Sequence, residues 1–196
     1  MNCAICENKK CREGEPCIEV EENLRERYLD SYNEKLFRTA SKVEAEGYMK
    51  LTRLEEIIKF SLEMGYKNIG IAFCVGLSEE AEILYNILKA HFKVTSICCK
   101  VCSINKEEFG LPKIRYDKFE AICNPIGQAY LLNSQGTDLN IICGLCIGHD
   151  ILFTKNSKAP VTTFIVKDRV LSHNPVGVLY SNYYKRRLIQ SSNNGK

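Results

Sequence analysis

The stretch Lys67-Asn-Ile-Gly-Ile-Ala-Phe-Cys-Val-Gly-Leu-Ser-Glu-Glu80 decides the fold. Asn68–Cys74 reads as a buried strand, because a short apolar run bounded by polar and glycine positions fits a sheet interior. Ser78 is placed to cap a helix, with Glu79 and Glu80 in its first turn, where carboxylates meet the positive end of the helix dipole. That helix is expected to run to about Ala90. The same alternation continues downstream. Val94–Cys98 reads as the second strand, Pro125 as a helix start leading into Ile126–Asn133, and Leu139–Cys143 as the third strand. Val161–Val166 is a fourth, rich in β-branched residues, and Val176–Ile189 reads as a last helix. Strands alternating with helices predict an open, mostly parallel, Rossmann-like α/β sheet with flanking helices.

Upstream, residues 18–66 read as helical. Leu24, Tyr28, Leu36, Ala40 and Val43 recur at helical spacing, and Leu51, Leu54, Ile57, Ile58 and Leu62 form a second apolar face. Gly65 is expected to end that second helix as its C-cap. Residues 1–17 have four cysteines and almost no apolar periodicity, so they form no core of their own and need a metal to be ordered. The expected organisation is a cysteine metal knuckle over 1–17, a helical segment over 18–66, an α/β domain over 67–190 and a polar, flexible tail over 191–196. No internal repeat is evident.

Composition excludes several classes. Of 196 residues, 45% are hydrophobic and 26% charged, which is globular rather than disordered. Lys and Arg total 27 against 24 Asp and Glu; the balance of +3 points to neither a nucleic-acid nor a membrane partner. The longest apolar runs, such as Ile69–Val75, are far too short to span a bilayer. The start Met-Asn-Cys-Ala-Ile-Cys shows no charged region followed by an apolar signal core, so a cytoplasmic location is expected.

Eleven cysteines dominate the chemistry: 3, 6, 11, 17, 74, 98, 99, 102, 123, 143 and 146. Their number is odd and a reducing cytosol disfavours disulfides, so metal or redox use is expected. Packing as a small hydrophobe accounts for one or two of them. The first four, Cys3-x2-Cys6-x4-Cys11-x5-Cys17, are candidate metal ligands. Their spacing is neither that of a two-cluster ferredoxin nor that of a zinc ribbon, and it leaves zinc and iron–sulfur both open.

The other seven fall at the ends of strands. Cys74 ends the first, Cys98, Cys99 and Cys102 the second, Cys143 and Cys146 the third, and Cys123 precedes the helix start at Pro125. Ligands of an open parallel sheet bind beyond the carboxyl ends of its strands, so these cysteines should meet on one rim. Cys74, Cys99, Cys123 and Cys146 are the expected ligand set; Cys98, Cys102 and Cys143 are left open. Adjacent strand residues face opposite ways, so Cys98 and Cys99 are not expected both to reach one ion. The competing readings are a metal-free redox dithiol and plain core packing. Gly76, Gly144 and Gly148 would let backbone approach a bulky centre. Lys167, Asp168, His149 and His173 are candidate pocket residues, with Arg169 beside them, for proton transfer or for a small anionic substrate. The competing reading there is an ordinary solvated turn.

Long motifs carry a resemblance. Phe73-Cys-Val-Gly, Cys99-Lys, Cys123-Asn-Pro-Ile-Gly-Gln-Ala, Thr137-Asp-Leu-Asn, Gly144-Leu-Cys-Ile-Gly-His-Asp, Ala159-Pro-Val-Thr-Thr and Val166-Lys-Asp-Arg-Val with His173-Asn-Pro are similar to an uncharacterised family. It is a cysteine-rich domain-of-unknown-function family of anaerobic bacteria and archaea, labelled predicted metal-binding protein. The resemblance covers Cys3 to about Tyr180 and implies metal binding, with no reaction attached. A looser likeness is to the cysteine-rich module of heterodisulfide reductases, in the order Cys74, Cys98-Cys99, Cys143-x2-Cys146, though at different spacings.

The expected function is a protein that holds zinc or an iron–sulfur cluster through thiolates, with a redox or sulfur-transfer role at the rim. A metal sensor or carrier, or an interaction module with structural metal sites, is the alternative. An open coordination position at the rim favours the enzyme; two closed four-thiolate sites favour the module.

Overall fold

The computed structural model describes residues 2–20 and 22–191, with the side chain of Ser191 excepted; the expected tail beyond 191 lies outside them. The chain divides into two compact units, residues 1–46 and 47–196.

The first unit opens with two short 3-10 turns, Cys3–Ile5 and Lys10–Glu13, followed by α1 (Leu24–Arg27) and α2 (Ser31–Gly47), which runs to the boundary. Every described residue from 2 to 33 is exposed, as expected of a stretch without apolar periodicity. The rings of Tyr28 and Phe37 meet at 4.8 Å.

The second unit begins with α3 (Arg53–Met64). Thr52 and Glu55 close a reciprocal capping box at its start, and Gly65, at φ +74°, ends it as the sequence predicts. Four strands follow: β1 (Asn68–Phe73), β2 (Lys93–Cys98), β3 (Leu139–Cys143) and β4 (Val161–Ile165). They pair in the order β2-β1-β3-β4, all parallel, with Ile71 opposite Ser96 on one side and Ile141 on the other. The expected parallel α/β sheet is therefore present.

Two helical layers cover the sheet. On one face α3 and α4 (Ser78–Leu88) bury Ile57, Ala81, Leu84 and Leu88 against Ile69, Ile71, Leu139 and Ile141. On the other, α5 (Pro125–Ser134) and α6 (His149–Asn156) bury Ala129, Leu132 and Phe153 against Ala72 and Ile142. Thus α3 belongs to the core of the sheet, although by sequence it groups with the helical stretch before it.

Three local details differ from the sequence reading. Ser78 is the first helical residue rather than the cap, and its hydroxyl donates to the Val75 carbonyl at 2.7 Å. The last helix breaks at Ser181 into α7 (Gly177–Tyr180) and α8 (Asn182–Ser191). Helix α6 is additional, because its eight residues are too few for a periodic apolar face to declare itself.

The topology fixes where a ligand can sit. From β1 the chain moves outward to β2, then crosses back over β1 to β3 and onward to β4. The connections on either side of the β1–β3 pair therefore lie on opposite faces of the sheet, which opens a crevice at the carboxyl ends of these two strands.

Candidate functional site at the carboxyl edge of the sheet

Cys74 follows β1 directly, and its N–H continues the ladder to the Cys143 carbonyl at 3.2 Å. Cys99 follows β2 in the same way, donating its N–H to the Phe73 carbonyl at 2.8 Å. Cys123 comes one residue before the cap of α5: the Asn124 N–H bonds the Cys99 carbonyl at 2.8 Å, and its side chain accepts from Gly127 N–H at 2.8 Å. Cys146 lies in the turn from β3 to α6, where its carbonyl accepts the His149 and Asp150 N–H groups. These four cysteines, from four separate segments, line one cleft of about 790 Å³.

Gln128 holds the base of the cleft together. Fully buried in the first turns of α5, its Nε2 bridges the carbonyls of Phe73 at 3.1 Å and Ile97 at 2.7 Å. The last residues of β1 and β2 are thereby pinned side by side, which fixes the spacing of the cysteines that follow them. Gly144 does the same for the β1–β3 side. At φ +71° it turns the chain after β3, and a Cβ there would overlap Leu77 Cδ1, so a bare backbone is what lets the two loops pack. Its bare backbone thus serves close packing against Leu77.

The thiols are electrostatically linked. Cys99 Sγ accepts from Val75 N–H at 3.3 Å and interacts with the thiols of both Cys74 and Cys123. The hydrogen bond from Cys99 holds the Cys74 thiol well below the ordinary range, against the cost of burial and with help from the Gly76 N–H and Lys167. Cys123 is lowered by the same donor, again against burial, with Lys100 and His149 adding positive charge. Cys99 is pushed strongly up by its two neighbours and by burial, so it keeps the proton. Cys146 receives a 3.1 Å hydrogen bond from Arg169 Nη2, which raises the guanidinium's pKa still further.

Around these sulfurs stand Lys100, Lys167, Arg169 and His149, all on the wall of the cleft. Lys100 Nζ bonds the Ala121 carbonyl at 2.6 Å and reaches Cys123 Sγ at 3.5 Å. Two other expected pocket residues are occupied elsewhere. Asp168 accepts the Val170 and Leu171 N–H groups at 2.9 Å each, and His173 Nδ1 accepts the Asp168 N–H at 3.0 Å. Together they close the turn after β4, and neither lines the cleft. Sequence reasoning misses Lys100 as a cleft residue. Its one signal is its position next to Cys99, which does not rank it above other lysines.

The remaining cysteines sit apart from the cleft. Cys143 is fully buried on the α3/α4 face, where burial pushes its thiol up to about 11. Cys98 Sγ accepts from Lys100 N–H at 3.5 Å, and Cys102 is exposed at φ +70°. In the first unit Cys3, Cys6, Cys11 and Cys17 are all exposed. Among the described residues no three His, Cys, Asp or Glu side chains already close around a common point.

The donor set of the cleft nevertheless suits a soft metal. A tetrahedral zinc with sulfur ligands about 2.3 Å away spaces them about 3.8 Å apart, the range of the hydrogen-bonding contacts of Cys99 with Cys74 and Cys123; Cys146 shares the cleft with them. Four thiols are also the number that zinc or an iron–sulfur cluster takes. Cys74, Cys99, Cys123 and Cys146 would be the ligands.

Residues 13–164 match the family described as protein of unknown function DUF1847. The chain is also 56% identical over 191 residues to an uncharacterized protein of Methanocaldococcus jannaschii, covering 97% of this chain and 99% of that one. No solved structure matches. The chain belongs to the DUF1847 family.

Proposed function

For this member of the family, we propose that the rim cleft holds zinc or an iron–sulfur cluster through Cys74, Cys99, Cys123 and Cys146, beside a binding place for a small anion. The observation that carries the reading is the meeting of four thiols and a set of basic side chains, Lys100, His149, Lys167 and Arg169 among them, in one cleft at the switch point of the sheet. When bound, an iron–sulfur cluster would supply redox chemistry, whereas zinc, which is redox-inert, would serve sulfur transfer by holding and activating a thiolate. Lys167 and Lys100 offset thiolate charge, and Arg169 orients Cys146. The cleft is open to solvent and far larger than one ion, which favours a site that meets a substrate over a closed structural staple. The exposed cysteines 3, 6, 11 and 17 are read as a second, structural metal site, because nothing else in residues 2–20 supplies a core.

Anaerobic purification followed by metal analysis and a visible absorption spectrum tests the reading. A thiolate-bound metal that is lost from Cys99→Ser is expected. A metal-free protein whose rim thiols form a disulfide on mild oxidation instead identifies a dithiol redox site, the reading favoured by the low pKa of Cys74 and Cys123. Reversible loading without turnover would identify a metal sensor or carrier.

A further inference from the structure

One wall of the cleft belongs to neither the thiols nor their cations. Between two short 3-10 turns, Val101–Ser103 and Lys106–Phe109, and the start of α5, the chain makes a long loop. Its ends are joined by an antiparallel bridge between Asn105 and Ala121. The loop has no helix or strand of its own over 110–120, yet it is braced throughout. Glu120 pairs with Lys106 at 2.7 Å, each about 18% exposed, and accepts the Ile114 N–H at 2.7 Å. Lys113, only 6% exposed, pairs with Glu107 at 2.7 Å. These contacts brace the loop, which presents Leu111, Pro112, Ile114, Phe119 and Ile122 to the cleft. Ile114 is 86% and Phe119 62% exposed, an apolar surface left uncovered opposite the thiols.

The charge of the cleft indicates what else must enter. Lys100, Arg115, Lys118, Lys167 and Arg169 line it, while its single acid, Glu120, is neutralised by Lys106. Four thiolates around zinc, or around an oxidised four-iron cluster, leave a formal charge of about −2. Five cations against that leave about +3 uncompensated, so a loaded centre does not satisfy the site.

We infer that the cleft takes a small organic anion: its carboxylate or phosphate end lies among Lys167, Arg169 and Lys100, and its aliphatic or aromatic segment lies on Leu111, Ile114 and Phe119. This rests on the reading of the cleft as a substrate site and names the class of substrate. A simple inorganic anion would satisfy the charge and leave the apolar wall wet. A neutral apolar molecule would do the reverse.

Calorimetric titration of the full-length protein, as purified and with its metal content measured, tests the inference. The probes are acetate, hexanoate and hexylamine, then inorganic phosphate and phenyl phosphate. Hexanoate should bind at least about tenfold tighter than acetate, since each buried methylene is worth about fourfold in affinity. Phenyl phosphate should exceed inorganic phosphate in the same sense, and hexylamine should not bind. The exposed wall substitutions Ile114→Ser with Phe119→Ser should abolish the preference for the longer probe and leave acetate binding within about twofold. Lys167→Gln with Arg169→Gln should weaken every anion at least about tenfold. Equal affinity for acetate and hexanoate, absence of any anion binding, or binding of hexylamine overturns the inference. If the protein proves metal-free but the anion series holds, the metal reading fails alone; if metal is present and the series fails, the substrate class fails alone.

Discussion

Two groups of four cysteines in one chain are supported in opposite ways. Cys3, Cys6, Cys11 and Cys17 come from one short segment in which every described side chain is exposed. Cys74, Cys99, Cys123 and Cys146 come from four segments spread over more than seventy residues, and a finished sheet carries them to one cleft. On the proposed reading, a metal would supply the order in the first group, whereas in the second the backbone already does so. The difference teaches that an equal number of thiols gives no equal dependence on metal. Binding free energy becomes folding free energy only where no core exists beforehand.

The sharpest way to break this contrast is to strip metal with a chelator and follow backbone hydrogen exchange. Amides of residues 3–17 should lose all protection, while those of β1 and β3, buried between two helical layers, should keep theirs. Simultaneous loss in both regions would mean that rim metal holds the sheet, and the contrast would collapse.

A second expectation concerns the built nature of the rim. Gly144→Ala forces a side chain into the left-handed region and onto Leu77. It should cost about 3 kcal/mol of unfolding free energy by denaturant titration, from backbone strain and overpacking together. Metal content of the N-terminal group should not change. A loss below about 1 kcal/mol would show that the two loops are not tightly packed against each other.

Much of this was legible in the sequence, and the reasons are specific. Asn68–Phe73 and Leu139–Cys143 are mostly apolar, broken only by Asn68 and Gly70 in the first and Asn140 in the second, so two central strands of a parallel sheet could be read directly. Pro125 at the first helical position and Gly65 past the end of α3 mark boundaries by their backbone chemistry alone. Rim placement of Cys74, Cys99 and Cys146 followed from strand ends, and that of Cys123 from the helix start at Pro125. What escaped depends on tertiary contact. Asp168 and His173 read as pocket residues in sequence, yet they hydrogen-bond backbone and close a turn. The loop over 104–122 carries no period, because its shape comes from the pairs Lys106–Glu120 and Lys113–Glu107, and its role as an apolar wall is invisible without them. Gln128 reads as an ordinary helix residue until its amide is seen bridging two strands.

Cys143 sharpens the contrast from within the sheet, as a thiol that the fold uses without its chemistry. Burial, the nearby Glu80 and Cys74 raise its pKa from an ordinary 9.0 to about 11, with only Lys167 opposing. A raised folded-state pKa means that its stabilising effect is complete below pH 9.0 and is lost as pH climbs through about 11. The loss should reach about 2–3 kcal/mol, since a tenfold change in proton affinity is worth about 1.4 kcal/mol. Cys143→Ala should lower stability at neutral pH but flatten the alkaline decline, as read from urea midpoints between pH 8 and about 11.5. An unchanged decline would place the alkaline titration elsewhere.

Smaller still is the expected effect of Gln128→Leu. Removing the amide that bridges Phe73 and Ile97 should cost about 1–2 kcal/mol, and it should loosen the rim cysteines without touching Cys3 to Cys17. Thermal unfolding together with rim metal affinity reads both effects; a full loss of stability with unchanged metal affinity would assign Gln128 to the core alone.

The most direct measurement isolates the rim thiols in the full-length chain. With Cys3, Cys6, Cys11 and Cys17 all replaced by serine, the anaerobically purified protein should retain one thiolate-bound metal centre per chain by metal analysis and absorption spectroscopy. Adding Cys99→Ser should empty it, whereas adding Cys98→Ser should leave it in place. A chain that loses all metal when only the N-terminal cysteines are replaced, or that keeps its metal after Cys99→Ser, would show that the cleft is not a separate thiolate centre.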